Sequence, residues 1–219
     1  RYCNYPKAAA KKPKVGDQTT SVETVISLKS DLVLAHGTVN AQAVKSLEAH
    51  GIRVVAIDPK TLDQVASDIL LVGRVTNREA QAKRVAGRIS SAKALLKKKT
   101  AGIKTRPKVL VAIQADPLWA AGPKTFVDEM IVLAGGVNVA SDAKPGFNQF
   151  SAEAAVWRNP DVIIGTYTGD SKVFTRGLWK DTKAAKSGKV YDANPDLLVR
   201  AGPRLADGLL YLANVINNR

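Results

Sequence analysis

Short unbroken apolar runs alternate along this chain with segments whose apolar residues recur every three or four positions. Asp31–Ala35 (DLVLA), Arg53–Asp58 (RVVAID), Lys108–Ile113 (KVLVAI), Asp161–Gly165 (DVIIG) and Lys189–Asp192 have the length and composition of buried strands. Helices are predicted over Asn40–His50, closed by Gly51, over Thr61–Leu71, and over Pro123–Ala134, stopped by Gly135-Gly136. A closing helix over Pro203–Asn217 sets Leu205, Leu209, Leu212 and Ile216 on one face. Strands of this kind spaced by helices indicate parallel α/β layers. Arg1–Asp17, punctuated by Pro6, Pro13 and Gly16, reads as loop with one short helical turn.

The longest periodic stretch is Thr76–Gly102. Thr76 and Glu79 have capping-box spacing, and Val85, Ile89, Ala92 and Leu96 form a single stripe. Arg78, Lys83, Arg84, Arg88, Lys93, Lys97 and Lys98 fill the other faces, and Gly102 is a C-cap candidate. About 25 residues at roughly 1.5 Å each make a rod of about 37 Å. Such a rod is either a strut across two bodies or a long crossover helix within one α/β domain.

A repeat favours two bodies. Ser21-Val22-Glu23 leads to Asp31-Leu32-Val33-Leu34-Ala35, and Ser151-Ala152-Glu153 leads to Asp161-Val162-Ile163-Ile164-Gly165. In both copies glutamate follows serine by two residues and the aspartate follows glutamate by eight. Each copy reads as an N-cap, a short helix and a buried strand. The expected fold is therefore α/β: two Rossmann-like lobes joined by one long backbone helix, with a ligand cleft between the lobes. The boundaries drawn are 1–75 for the N-terminal lobe, 76–102 for the connecting helix and 103–219 for the C-terminal lobe.

Composition narrows the function. An apolar content of 45% over 219 residues supports a full core. Nowhere do some 18 uninterrupted apolar residues occur. Cys3 is the only cysteine, which excludes an internal disulfide and a cysteine-built zinc site. The net charge of +14 raises nucleic acid, but the cations are spread along the chain, densest on the long helix, without a recognition motif. A solvated basic surface, or one facing an anionic membrane, is the alternative. No GxGxxG, P-loop or nucleophile elbow is present, and Gly135-Gly136 follows a helix rather than a strand. Ligands of open parallel sheets sit beyond the strands' carboxyl ends. Here those ends carry His36, Gly37, Asp58, Gln114, Asp116, Trp119, Thr166, Tyr167, Asn194 and Asp196, a set without evident catalytic machinery.

At these residues the chain resembles the helical-backbone class of periplasmic substrate-binding proteins, which serve ABC importers of cobalamin, ferric siderophores and haem. The resemblance is carried by Tyr2-Cys3-Asn4-Tyr5-Pro6, Ser21-Val22-Glu23, Asp31 to Ala35, Gly51-Ile52-Arg53-Val54 and Asp116-Pro117-Leu118-Trp119. It continues through Ala134-Gly135-Gly136-Val137-Asn138, Ser151-Ala152-Glu153, Asn159-Pro160-Asp161 and Arg200-Ala201-Gly202-Pro203-Arg204. The cobalamin binders are the most similar members.

The resemblance implies a non-enzymatic protein without a cofactor or metal of its own. Such a protein carries a corrinoid, or alternatively a ferric siderophore or haem, to a permease dimer. It implies permease docking through Glu23 and Glu153, and ligand contact through Tyr2, Tyr5, Trp119, Asp196 and Arg200. Phe147-Asn148-Gln149-Phe150 is expected as a cleft wall, with Phe150 rather than Phe147 facing the ligand. His36 joins the ligand set, as an axial ligand to a metal centre or as a hydrogen-bonded structural group. Cleft tryptophans of the cobalamin binders align with Asp17 and His36, which leaves siderophore and haem open. The implied location is periplasmic or extracellular, with a lipid anchor to the membrane surface as one form, and the implied state is a monomer. Family members carry a strand and a helix before the Tyr-Cys-Asn-Tyr-Pro segment, so an N-lobe lacking its first strand in this chain, with a vacant or differently paired sheet edge, is expected.

Overall fold

The structure, a computed structural model, describes residues 3–16, 20–167 and 170–217. Contacts divide the chain into two compact units, Arg1–Asp58 and Pro59–Arg219. The division that the sequence grammar suggests falls later, at residue 75. Here residues 59–75 go with the second unit, because Leu62 and Val65 are buried in its core.

The first unit contains α1 (Val22–Ser27), β1 (Val33–His36), α2 (Ala41–Ala49) and β2 (Val54–Ile57). The two strands pair in parallel, Val33 opposite Val54 through His36 opposite Ile57. Among the described residues the other edge of β1 carries no strand. Gly51, at φ +74°, ends the α2 turn in the left-handed conformation that a glycine adopts without steric cost.

The second unit opens with α3 (Leu62–Val75) and α4 (Glu79–Thr100), then β3 (Lys108–Gln114), β4 (Trp119–Ala121), α5 (Phe126–Leu133), β5 (Val137–Asn138) and β6 (Phe147–Gln149). It continues with α6 (Ala152–Trp157), β7 (Val162–Gly165), α7 (Lys183–Lys186), β8 (Val190–Asp192), α8 (Pro195–Leu198) and α9 (Leu205–Asn217). The sheet order is β6-β4-β3-β7-β8, with β5 also pairing β3. β3 is parallel to β7 and to β5, and β7 to β8. The β4 and β6 pairings are antiparallel. The parallel strands agree with the apolar runs; β4, β5 and β6 do not announce themselves in the sequence, being two or three residues long.

Alternation along β3 and β7 feeds two cores. Val109, Val111, Val162 and Ile164 face a layer made by α3, α4, α5 and α9. Leu110, Ala112 and Ile163 face Leu118, Ala155, Phe174, Trp179 and Ala184. A sheet buried on both faces needs apolar side chains at every position, which is why these strands read as unbroken runs.

The long helix is shorter than expected and is capped differently. Thr76 closes α3 instead of opening α4, and Arg78 caps α4 without a side-chain hydrogen bond. The capping box stands fifteen residues earlier, where Thr61 and Gln64 each satisfy the other's backbone. Ile89, Ala92 and Leu96 are buried as expected, joined by Ala82, Ala86 and Thr100. Their partners are α3, α5 and α9, so the stripe serves as one wall of the second unit's core. The helix C-cap is Ala101 rather than Gly102.

Candidate functional site

The repeated Ser-x-Glu segments fold alike to the level of single hydrogen bonds. Ser21 Oγ accepts from the Thr24 amide at 3.2 Å, and Ser151 Oγ from the Ala154 amide at 3.0 Å. Each serine hydroxyl also donates to its own glutamate, at 3.3 Å to Glu23 and at 2.9 Å to Glu153. Each helix is six residues long, with one fully buried anchor at the same offset, Val25 or Ala155. Both end on a right-handed C-cap, Leu28 or Arg158, followed by a non-glycine residue in the left-handed region, Lys29 at φ 50° and Asn159 at φ 52°. Glu23 and Glu153 are both exposed. The amide of Glu153 and the Ser151 hydroxyl stabilise the charged carboxylate and hold its pKa below the ordinary range. Each site thus sets a carboxylate in first-turn position, with its own serine cap bonded to it.

A second set lies on the antiparallel part of the larger sheet. Across β4 and β6, Trp119 pairs with Gln149 and Ala121 with Phe147, which places all four side chains on one face. Trp119 and Phe147 are both more than one-third exposed. The Phe147 ring meets Phe126 edge-on at 6.0 Å, so its orientation is held by the core beneath. Phe150 lies beyond β6 on the opposite side. It packs into the core with Leu118 and Ala120, and the Arg158 guanidinium covers its ring at 5.0 Å from the centroid. Phe147, not Phe150, is the phenylalanine that shares a face with Trp119. The period-two spacing of Trp119/Ala121 and Phe147/Gln149 was the available signal, but runs of three residues are too short to be read without their partners.

Asp196 is a buried group with a structural task. Its carboxylate receives Arg200 Nε at 2.7 Å and Arg204 Nη2 at 3.2 Å, with a side-chain exposure of 7%. It therefore ties α8 to the start of α9, while Arg200 remains 40% exposed and able to reach solvent. Close packing of these two helices also requires Gly208, where a Cβ would sit 1.9 Å from the Leu197 carbonyl oxygen.

At the end of β1, both ring nitrogens of His36 are engaged. Nδ1 accepts the Val39 amide at 3.2 Å, and Nε2 lies 3.3 Å from Asp58. Asp58 also accepts from the Thr38 hydroxyl, and Asn40 Oδ1 takes the His36 amide. These bonds match the hydrogen-bonded structural role; metal ligation through Nε2 would have to displace Asp58. Among the described residues no group of three potential metal ligands occurs. Tyr5 is exposed. Tyr2 and Asp17 lie outside the described residues.

Residues 1–197 match the periplasmic binding protein family. The chain belongs to that family. It is 37% identical over 223 aligned residues to a substrate-binding lipoprotein of an ABC transporter, YvrC of Bacillus subtilis, covering 97% of this chain and 70% of that protein. The vitamin B12-binding protein of Photorhabdus laumondii is 27% identical, with 99% and 78% covered. Among solved structures, IsdE of S. aureus complexed with heme superposes with a TM-score of 0.82 at 25% identity, covering all of this chain and 89% of that one. The two-lobed α/β fold of periplasmic binding proteins is thus the fold of this chain. Its members are solute-binding proteins that work with a permease and an ATPase; they are not enzymes. This periplasmic binding protein accordingly acts outside the cytoplasm. Among the described residues no helix is long and apolar enough to cross a membrane.

Proposed function

We propose that this periplasmic binding protein captures a corrinoid, cobalamin in the first instance, and delivers it to an ABC permease dimer. The observation that carries the reading is the aromatic face built by Trp119 and Phe147 beside the uncharged amide of Gln149. A large macrocycle with amide side arms is recognised by exposed apolar rings and neutral hydrogen-bonding groups rather than by fixed charge. The B12-binding relative, similar over nearly the whole chain, supports the same ligand. Arg200 and Tyr5 are proposed as further contacts, with Asp196 positioning Arg200; Tyr2 and His36 complete the proposed set. Phe147 takes the place proposed from sequence for Phe150.

Haem or a ferric siderophore is the second reading, favoured by the likeness to heme-bound IsdE. Titration of the full-length protein with cyanocobalamin, haem and a ferric hydroxamate, followed by tryptophan fluorescence, separates them. Saturable quenching by cyanocobalamin is expected. Quenching by haem alone would replace the corrinoid reading.

Docking is proposed to run through Glu23 and Glu153, each meeting an arginine of the permease dimer. Two matched, exposed and cap-fixed carboxylates suit a partner whose two halves present the same cation. The double substitution Glu23→Gln/Glu153→Gln should abolish uptake and leave ligand affinity unchanged. Loss of ligand affinity instead would remove the docking role.

A further inference from the structure

Trp157 is 85% exposed, more than any other large apolar side chain among the described residues. It stands one turn after Glu153 on α6, and an i, i+4 pair on a helix shares one side. Its neighbour Arg158 offers it no cover. That guanidinium is spent on Asp142, on the Val139 carbonyl at 2.6 Å and on the Phe150 ring. Among the described residues no ring or cation stacks on the indole. The matching helix of the first unit has the same serine N-cap, the same right-handed C-cap geometry, the same glutamate and the same burial sequence, but a serine, Ser27, where Trp157 stands. Everything that the backbone needs is therefore met without an aromatic residue at this position. Leaving a tryptophan in water forfeits the burial of the largest apolar side chain, whereas tryptophan is enriched among residues that dominate protein interfaces.

We infer that Trp157 is an apolar anchor for the permease, inserted beside the cation that meets Glu153. This rests on the docking reading above and adds to it the chemistry of the partner surface. That surface is a guanidinium or ammonium with an apolar pocket about one helical turn, ~5 Å, away. The two lobes then offer equal charge but unequal apolar contact. Four residues after Glu23 stands Ser27 rather than an aromatic residue, and the Glu153 side supplies the larger share of affinity.

The test is binding of the full-length protein to its cognate permease–ATPase complex in nanodiscs, at low and high salt. Trp157→Ala should weaken binding at least tenfold at both salt concentrations, and Trp157→Phe should restore part of the loss. Ligand affinity and melting temperature should not change, since the side chain touches no core. Glu153→Gln should weaken binding mainly at low salt. Wild-type affinity in Trp157→Ala alongside a weakened Glu153→Gln overturns the anchor and keeps the docking reading. Wild-type affinity in both overturns the two together. A dimer of the free protein in sedimentation velocity that Trp157→Ala dissolves would assign the indole to self-association and overturn the anchor as well.

Discussion

The ammonium of Lys93 on α4 stands 2.9 Å from the carboxylate of Glu129 on α5. The same carboxylate accepts the Leu62 amide at the start of α3, at 2.7 Å, and Lys93 also reaches Asp63 at 2.6 Å. Three helices of the second unit are thus tied by one partly buried network. Glu129→Ala leaves the first amide of α3 without its acceptor and Lys93 with Asp63 alone, and a loss of about 2 kcal/mol is expected. Urea unfolding of the variant against wild type checks it. An unchanged midpoint would show that water substitutes fully for the carboxylate.

The same network sets an alkaline limit. Burial works against the charge of Lys93, but the hydrogen bonds to Asp63 and Glu129 outweigh it, and the pKa is raised. Burial raises the pKa values of Tyr211 and Tyr167 too. A group whose folded pKa lies above its unfolded value contributes stability that is present below the unfolded pKa and lost as pH rises through the folded one. Stability should therefore fall as pH rises above about 10, the ordinary range of these groups, and fall less steeply in Lys93→Met. Parallel slopes in the two proteins would exclude Lys93 from the effect.

Ser151→Ala separates the cap from the carboxylate it fixes. The helix start should lose about 1 kcal/mol. The Glu153 pKa, held down by its own amide and by the Ser151 hydroxyl, should move up toward the ordinary glutamate range. A side-chain NMR titration reads this directly. No movement would mean that the hydroxyl contributes nothing to the charge state.

The two phenylalanines bracketing β6 should fail in different ways. Phe150→Ala removes a ring packed between the core and Arg158, so a loss of about 3 kcal/mol in stability is expected. Phe147→Ala, on the Trp119 face, should instead weaken the bound ligand with a smaller effect on stability. Denaturation and ligand titration on both variants decide between the two assignments. Reversed outcomes would return Phe150 to the ligand face.

Asp196→Ala should cost about 3 kcal/mol, because two arginines lose the carboxylate that joins α8 to α9. Arg200→Ala should cost less stability, its side chain being 40% exposed, and more affinity for the ligand. Thermal melts and titrations of the two variants provide the comparison.

The parallel strands, the serine caps of α1 and α6, the buried face of α9 and the left-handed Gly135 after α5 were legible from the sequence. Each rests on neighbours within one turn or one strand, where spacing and residue type decide the outcome. The resemblance carried by the motifs along the chain likewise reached the family. Which side chains face together was settled only by tertiary pairing. The Trp119–Phe147 face needs two short strands from separate parts of the chain, brought into register against β3. The inward turn of Asp196 depends on arginines four and eight residues on, held there by the approach of α8 to α9. The start of α4 was misplaced because Thr76 satisfies a local capping pattern, while the packing of α3 on α4 makes that residue an end. Local rules state what a segment can form; the contacts between segments choose among those forms and decide which side chains are left for a ligand or a partner.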